Sequence, residues 1–170
     1  MSDEHPVTPA GDIAFDPTVL EHLPTAPVQR RGVPQELAAR YEKIEFVGEG
    51  GMGTVYRAVD PRLGRTVAIK VLKGDDSELW RRFLAEARAQ ARIEHENVCR
   101  VYDAGHADGE PYIVMQYIEG EPLSRIADRF TLEQCVKVIC EVSLAVHEAH
   151  RLGMIHRDIK PGNVLIELHE

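Results

Sequence analysis

The spacing of apolar residues changes along the chain between the period of a strand and the period of a helix. Short runs rich in β-branched and aromatic residues, bounded by turn-forming residues, predict strands in much of the region from residue 41 to 117. One more strand is predicted close to the C-terminus. The predicted strands cover residues 41–47, 54–59, 66–72, 98–104, 111–117 and 164–168.

Apolar residues at steps of three and four predict helices elsewhere in the chain. Thr131 is expected to cap the start of the longest helix, and Gly153 is expected to follow its end as the C′ glycine. A mixture of consecutive strands and segregated helices indicates an α+β fold. The predicted helices cover residues 77–92, 122–129 and 131–152.

The first 36 residues differ in composition from the rest of the chain. They carry six of the ten prolines and show no sustained apolar period. This composition predicts a flexible, partly extended leader. The folded part is expected to begin near Leu37.

Charge and cysteine content exclude several functions. Twenty Lys and Arg against 28 Asp and Glu give a net charge of −8, which argues against nucleic acid or an anionic membrane as the main partner. The chain shows neither a signal peptide nor an apolar run long enough for a membrane helix. Its three cysteines form no C-x-x-C pair, which predicts reduced thiols and a cytoplasmic location.

The most informative stretch is the loop His156–Asn163, with the sequence H-R-D-I-K-P-G-N. Pro161 and Gly162 prevent a helix from continuing, so the polar groups of Asp158, Lys160 and Asn163 lie on a turning loop. A carboxylate that accepts a proton, an ammonium that neutralises phosphate and a carboxamide that binds metal are the groups that phosphoryl transfer requires. Taken alone, the loop is also compatible with ordinary polar residues that hydrogen-bond the backbone.

A glycine-rich segment fits the pattern G-x-G-x-x-G-x-V. Glycines let backbone N–H groups approach phosphates closely. A Rossmann fold shares the glycine spacing, but there the loop opens a helix, whereas a second strand is predicted after this one. A hairpin that binds no ligand is the alternative. The candidate phosphate-binding residues are Gly48, Glu49, Gly50, Gly51, Met52, Gly53 and Val55.

The next strand contains V-A-I-K, in which Ala68 and Lys70 point to the same face. Leu79, Phe83, Glu86 and Gln90 share one face of the following helix, and a carboxylate on an apolar face needs a cation. We therefore predict an ion pair between Lys70 and Glu86. The alternatives are a solvent-facing lysine and a Glu86 that pairs on the helix surface.

Together with F-x-x-E-A at Glu86, these motifs resemble the catalytic domain of bacterial-type (Hanks-type) serine/threonine protein kinases, in the family's order. The resemblance implies an α+β protein-kinase-like fold: a five-stranded antiparallel small lobe with its αC helix, and the beginning of a helical large lobe. It places the leader at 1–36, the nucleotide-binding small lobe at 37–117, and the hinge and start of the large lobe at 118–170.

The resemblance also implies roles for the site residues. Asp158 is the expected catalytic base, Lys160 faces the transferred phosphate, and Asn163 binds Mg²⁺. Lys70, held by Glu86, contacts the ATP phosphates. Adenine is expected to lie beneath Ala68 and against the hinge, whose residues are Met115 as gatekeeper, the carbonyl group of Gln116 and the amide of Ile118. The implied second substrate is a protein Ser or Thr hydroxyl.

The sequence departs from the family in what it lacks. None of its four phenylalanines stands in a D-F-G, and A-P-E is missing, so the 170 residues resemble the N-terminal part of a kinase domain of roughly 250 residues or more. These residues alone are expected not to transfer phosphate. A non-catalytic ATP-binding or regulatory module is the alternative, and a small-molecule phosphotransferase is a weaker third.

Overall fold

The computed structural model describes residues 13–15, 32–50, 53–72 and 77–167. Its elements form two antiparallel sheets and a set of helices. In chain order they are β1 (Ile13–Phe15), α1 (Gln35–Arg40), β2 (Glu42–Gly50), β3 (Gly53–Asp60), β4 (Arg65–Leu72), α2 (Ser77–Gln90), β5 (Val101–Ala107), β6 (Glu110–Gln116), β7 (Gly120–Pro122), α3 (Leu123–Ile126), α4 (Leu132–Arg151) and β8 (Val164–Glu167).

The larger sheet has five antiparallel strands in the order β2-β3-β4-β6-β5. The five strands predicted from the sequence are confirmed, with bounds that differ by at most three residues. β4 lies in the middle of the sheet, where Lys70 is paired with Val55 on one side and with Ile113 on the other. A central strand is fixed by hydrogen bonds on both edges, so Lys70 sits on the most constrained part of the sheet.

Both faces of the five-stranded sheet are covered, because successive side chains of a strand point to opposite faces. On one face, Ile69 and Val71 pack with Leu37 of α1 in an apolar core. On the other face, Ala68 packs with Phe83 of α2 in a second core. Lys70 extends from the same face as Ala68, as the alternation predicts, and α2 is the helix that lies over it.

The smaller sheet has the strand order β1-β8-β7. In it, Ile13 is paired with Ile166, and Glu121 is paired with the same residue from the other side. The strand β1 is not predicted from the sequence, which indicates only a flexible leader there. The rest of the leader up to residue 31 lies outside the described residues, and so does Leu168, the last residue of the predicted final strand.

Helix α4 begins with a capping box in which Thr131 and Gln134 exchange hydrogen bonds, and Gly153 follows its end with a φ of +77°. Both predicted boundary residues are therefore confirmed. Ala145 and Ala149 pack against Ile93 and Val98, which join α2 to β5. No helix in the described ranges has both the length and the apolarity that a membrane span requires.

The opposite side of α4 carries apolar side chains that are open to solvent. Leu132 is 82% exposed and Ile139 is 63% exposed, and Val136 and Leu144 are also exposed. These side chains form an exposed apolar patch along one side of α4.

Candidate active site

The predicted catalytic loop brings three polar side chains together. The amide nitrogen Nδ2 of Asn163 donates hydrogen bonds to the carboxylate oxygen Oδ2 of Asp158 at 3.0 Å and to its backbone oxygen at 2.7 Å. The Nζ of Lys160 lies 3.0 Å from the same Oδ2. The convergence of these groups on one point, predicted from the turn residues, is confirmed.

The backbone explains how residues five apart in sequence meet. Pro161–Asn163 form a single 3₁₀ turn in which the amide of Asn163 donates to the carbonyl group of Lys160 at 2.9 Å. Proline suits the first position of such a turn because it has no N–H to lose. Upstream, Arg157 has a φ of +65° and the amide of Asp158 donates to Nδ1 of His156 at 3.1 Å. Asn163 is 2% exposed, so the loop is anchored through it.

The electrostatics favour a charged carboxylate. The hydrogen bond from Lys160, followed by that from Asn163, lowers the pKa of Asp158 below its ordinary value. Burial lowers the pKa of His156, which favours the neutral imidazole and leaves Nδ1 as an acceptor for the amide of Asp158. At neutral pH the loop therefore presents an ionised carboxylate beside an ammonium group.

The glycine-rich segment is a strand–turn–strand hairpin, as predicted, and no helix follows it. Gly50 at the end of β2 is paired with Gly53 at the start of β3, and Gly51 and Met52 between them lie outside the described residues. A Cβ atom at Gly53 would lie 2.2 Å from the backbone oxygen of Val71 on β4. Gly53 is thus required by the close approach of two strands, whatever the hairpin binds.

The predicted ion pair between Lys70 and Glu86 is wrong for this structure. Lys70 is buried, with 4% of its surface exposed, and its Nζ lies 6.0 Å from the ring centroid of Phe83. Glu86 is exposed, and among the described residues no ion pair joins it to Lys70. Among the side chains of α2 that the structure describes, Phe83, Ala87 and Gln90 are buried, which places Glu86 on the flank of the helix.

The predicted hinge follows β6 directly. Met115 is fully buried and is paired with Ala68 across β4 and β6, so the two residues are neighbours as the adenine prediction requires. The amide of Gln116 donates to the carbonyl group of Arg100 at 2.8 Å, and its carbonyl oxygen accepts from the thiol of Cys99 at 3.4 Å. Ile118 is buried. The contact from Cys99 was not predicted, because nothing in the sequence marks a lone cysteine as a neighbour of the hinge.

The donor set at Asn163 fits the Mg²⁺ that the kinase resemblance implies. Its amide nitrogen is used by Asp158, so the amide oxygen, an atom type that Mg²⁺ prefers, is its remaining polar atom. No cluster of three His, Cys, Asp or Glu side chains suited to a metal occurs within the described ranges.

Comparisons with known proteins agree with this geometry. The protein kinase domain family matches residues 41–170. The chain is 41% identical over 141 residues to the serine/threonine-protein kinase PknA of Mycobacterium tuberculosis, an alignment that covers 76% of this chain and 33% of PknA. PksC of Streptomyces coelicolor, also a serine/threonine-protein kinase, is 40% identical over 141 residues. That alignment covers 75% of this chain and 25% of PksC.

A solved structure supports the same conclusion. The PknI kinase domain of Mycobacterium tuberculosis aligns with a TM-score of 0.66 at 31% identity, covering 76% of this chain and 57% of that domain. The chain therefore belongs to the protein kinase family, and both the predicted family and the predicted fold class are confirmed. It spans a third or less of the length of the curated relatives named here.

Proposed function

We propose that this chain supplies the nucleotide-binding lobe and the catalytic loop of a serine/threonine protein kinase, which transfers the γ-phosphate of ATP to protein Ser or Thr hydroxyls with Mg²⁺. The observation that carries the proposal is the contact of Lys160 and Asn163 with one carboxylate oxygen of Asp158. The names of the relatives, all serine/threonine-protein kinases, support the choice of hydroxyl substrate.

Asp158 is the proposed base. Lys160 and Asn163 both contact its Oδ2, and in the described part of the chain Oδ1 accepts no hydrogen bond, so Oδ1 is the oxygen available to a substrate hydroxyl. Its lowered pKa keeps the carboxylate ionised at neutral pH, as proton acceptance requires. Lys160, held 3.0 Å from that carboxylate, is placed to neutralise charge on the phosphate in transfer. Mg²⁺, when bound at Asn163, supplies further charge stabilisation.

The proposed nucleotide site is built mainly from residues that precede the hinge in the sequence, whereas this loop follows it. Backbone N–H groups of residues 48–53 cradle the phosphates, and Lys70 neutralises part of their charge. Ala68 and Met115 form the apolar wall for adenine, because they are neighbours across β4 and β6. Val55 is paired with Lys70 and belongs to the same apolar core as Ala68, so the wall continues toward the phosphates. Gln116 and Ile118 offer backbone groups to the base edge.

Calorimetric titration with ATP and Mg²⁺ tests the nucleotide site. We expect Lys70→Met and Gly50→Val to weaken binding by at least about tenfold, since one removes a phosphate cation and the other obstructs backbone approach. Lys137→Met is the matched control, because Lys137 is an exposed lysine paired with Glu141 on α4. Equal affinities for the wild-type chain and the first two variants would contradict the proposed phosphate site.

A transfer assay tests the catalytic role. The 170 residues alone are expected to show no phosphate transfer above an Asp158→Asn blank. Joining the kinase-domain sequence that follows the aligned part of PknA to residue 170 is expected to give transfer that Asp158→Asn abolishes. Transfer by the joined protein that persists in Asp158→Asn contradicts the assignment of the base.

A non-catalytic nucleotide-binding module is the second candidate, and the exposed Glu86 favours it. With Glu86 exposed and not paired with Lys70, the lysine lacks the particular ion pair that active kinases use. Tight ATP binding with no transfer by the joined protein would select this candidate. For either function we propose a cytoplasmic location, supported by the three free cysteines and by the need for ATP.

A further inference from the structure

Gln90 is a buried polar residue that the proposed site does not use. It stands in the last turn of α2 beside the buried Ala87, with 4% of its surface exposed. Its Nε2 donates a hydrogen bond to the backbone oxygen of Cys99 at 2.9 Å. A buried amide is costly unless it is hydrogen-bonded, so this contact fixes the end of α2 to the segment that precedes β5.

The same segment holds the hinge residue Gln116 through three hydrogen bonds. The thiol of Cys99 donates to the Gln116 carbonyl oxygen at 3.4 Å, and the Gln116 amide donates to the Arg100 oxygen at 2.8 Å. The amide of Arg100 donates to the Gln116 side-chain oxygen at 3.4 Å. Residues 99 and 100 therefore fix the orientation of Gln116 from its amide, its carbonyl and its side chain.

These contacts form one continuous path from α2 to the proposed adenine site. Gln90 holds the peptide that carries Cys99, and the Cys99 thiol donates to the Gln116 carbonyl oxygen. A carbonyl oxygen has two lone pairs, so it can accept a second hydrogen bond beside the one from Cys99. Cys99 is 1% exposed and packs with Met115, so no water molecule from bulk solvent substitutes for its thiol.

We propose that Gln90 and Cys99 are positioning residues for adenine: they orient the Gln116 carbonyl so that it accepts a hydrogen bond from the 6-amino group of the base. The proposal rests on the proposed ATP site and adds to it the source of base selectivity. By this proposal, the last turn of α2, one turn beyond Glu86, also contributes to adenine recognition.

Comparing the binding of two nucleotides distinguishes this positioning role from a general contribution to the stability of the fold. Purine riboside triphosphate has the ring and phosphates of ATP but no 6-amino group, so it cannot donate to the Gln116 carbonyl group. The wild-type chain is expected to prefer ATP, because a carbonyl left without its donor loses one hydrogen bond. The measurement is the ratio of the two Kd values, obtained by calorimetry with Mg²⁺ on the whole chain.

Gln90→Met keeps the size of the side chain and removes the donor, and Cys99→Ala removes the thiol. Each is expected to weaken ATP binding about three- to tenfold while leaving the analogue within about twofold, so the ratio of the two Kd values falls. Cys99→Ser keeps a donor and is expected to retain most of the preference. Tyr112→Phe is the matched control, since it removes a hydroxyl that contacts Asp103 and Arg40 away from the hinge.

The outcomes are distinguishable. Equal weakening of both nucleotides in Gln90→Met and Cys99→Ala, or an unchanged ratio, overturns the positioning role and leaves the ATP site standing. A wild-type chain that binds neither nucleotide overturns both proposals. A lower ratio in the two variants, with Cys99→Ser and Tyr112→Phe close to wild type, supports the path from α2 to the hinge.

Discussion

Asn163 and Asp158 are joined by two hydrogen bonds from one amide nitrogen, at 2.7 Å to the backbone oxygen and at 3.0 Å to the carboxylate. The amide thus fixes both the backbone and the side chain of the proposed base. Because Asn163 is buried and Asp158 is exposed, the buried residue orients the exposed one. This arrangement keeps the carboxylate in a single position without removing it from solvent.

The first prediction concerns the pKa of Asp158. Lys160→Met is expected to raise it more than Asn163→Leu does, because the hydrogen bond from Lys160 is the larger cause of its lowered value. NMR titration of the aspartate side-chain carboxyl carbons measures both shifts. Lys137→Met should leave the pKa of Asp158 unchanged. A larger shift in Asn163→Leu would reverse the assigned order of the two causes.

The second prediction concerns the pH dependence of the free energy of unfolding that follows from the lowered pKa of Asp158. A carboxylate whose pKa is lower in the folded than in the unfolded chain stabilises the fold when ionised. That stabilisation is complete above the ordinary value of 3.8 and is lost as pH falls through the lower folded pKa. Lys160→Met should therefore lose less stability than wild type on acidification across this window, measured by urea unfolding at stepped pH. Parallel curves for the two proteins would contradict the prediction.

The third prediction compares two neighbours on α2. Glu86→Gln is expected to change the free energy of unfolding by less than about 0.5 kcal/mol, because Glu86 is exposed and has no ion pair with Lys70. Phe83→Ala, one turn earlier and buried, is expected to cost about 3–5 kcal/mol. Denaturant unfolding of the nucleotide-free chain measures both. A large effect of Glu86→Gln would show that the Lys70 pair exists in solution.

The fourth prediction concerns the glycine-rich hairpin. Gly53→Ala is expected to cost about 1–3 kcal/mol, since its Cβ meets a backbone oxygen that cannot rotate away. Gly32→Ala is the control, because no atom lies within 4 Å of a Cβ built there and its cost should be below about 0.5 kcal/mol. Thermal unfolding without nucleotide separates the effect on folding from any effect on binding.

The fifth prediction tests the start of α4. Thr131→Ala removes the side chain that accepts from the amide of Gln134, and it should cost about 0.5–2 kcal/mol. Ser143→Ala in the middle of the same helix should be neutral or slightly stabilising, because its hydroxyl only bonds back to the carbonyl of Ile139. Similar losses in both variants would contradict the role of the cap.

Much of the fold was predictable because its signals are local. The alternation around Ile69 places successive residues of β4 in two cores, and Thr131 and Gly153 mark the ends of α4 through their own backbone requirements. The geometry of the proposed catalytic loop was equally predictable, since Pro161 favours the turn that brings Asn163 to Asp158.

What the sequence did not predict depends on small rotations and distant contacts. Phe83, Glu86, Ala87 and Gln90 lie within about 100° of one another around α2, so periodicity alone does not decide which of them faces the sheet. A modest rotation of the helix exchanges Glu86 for Ala87. The pairing of β1 with β8 joins residues about 150 positions apart, and a three-residue strand carries too few side chains to show a period.

The contact at Gly53 has a consequence for genetics. An allele that replaces this glycine would lower the amount of protein in the cell, because a destabilised chain is unfolded more often and is degraded. Its loss of function would then report protein abundance and would be mistaken for a defect in nucleotide binding. Asp158→Asn changes an exposed side chain without adding volume, so an allele intended to separate presence from activity is better placed there.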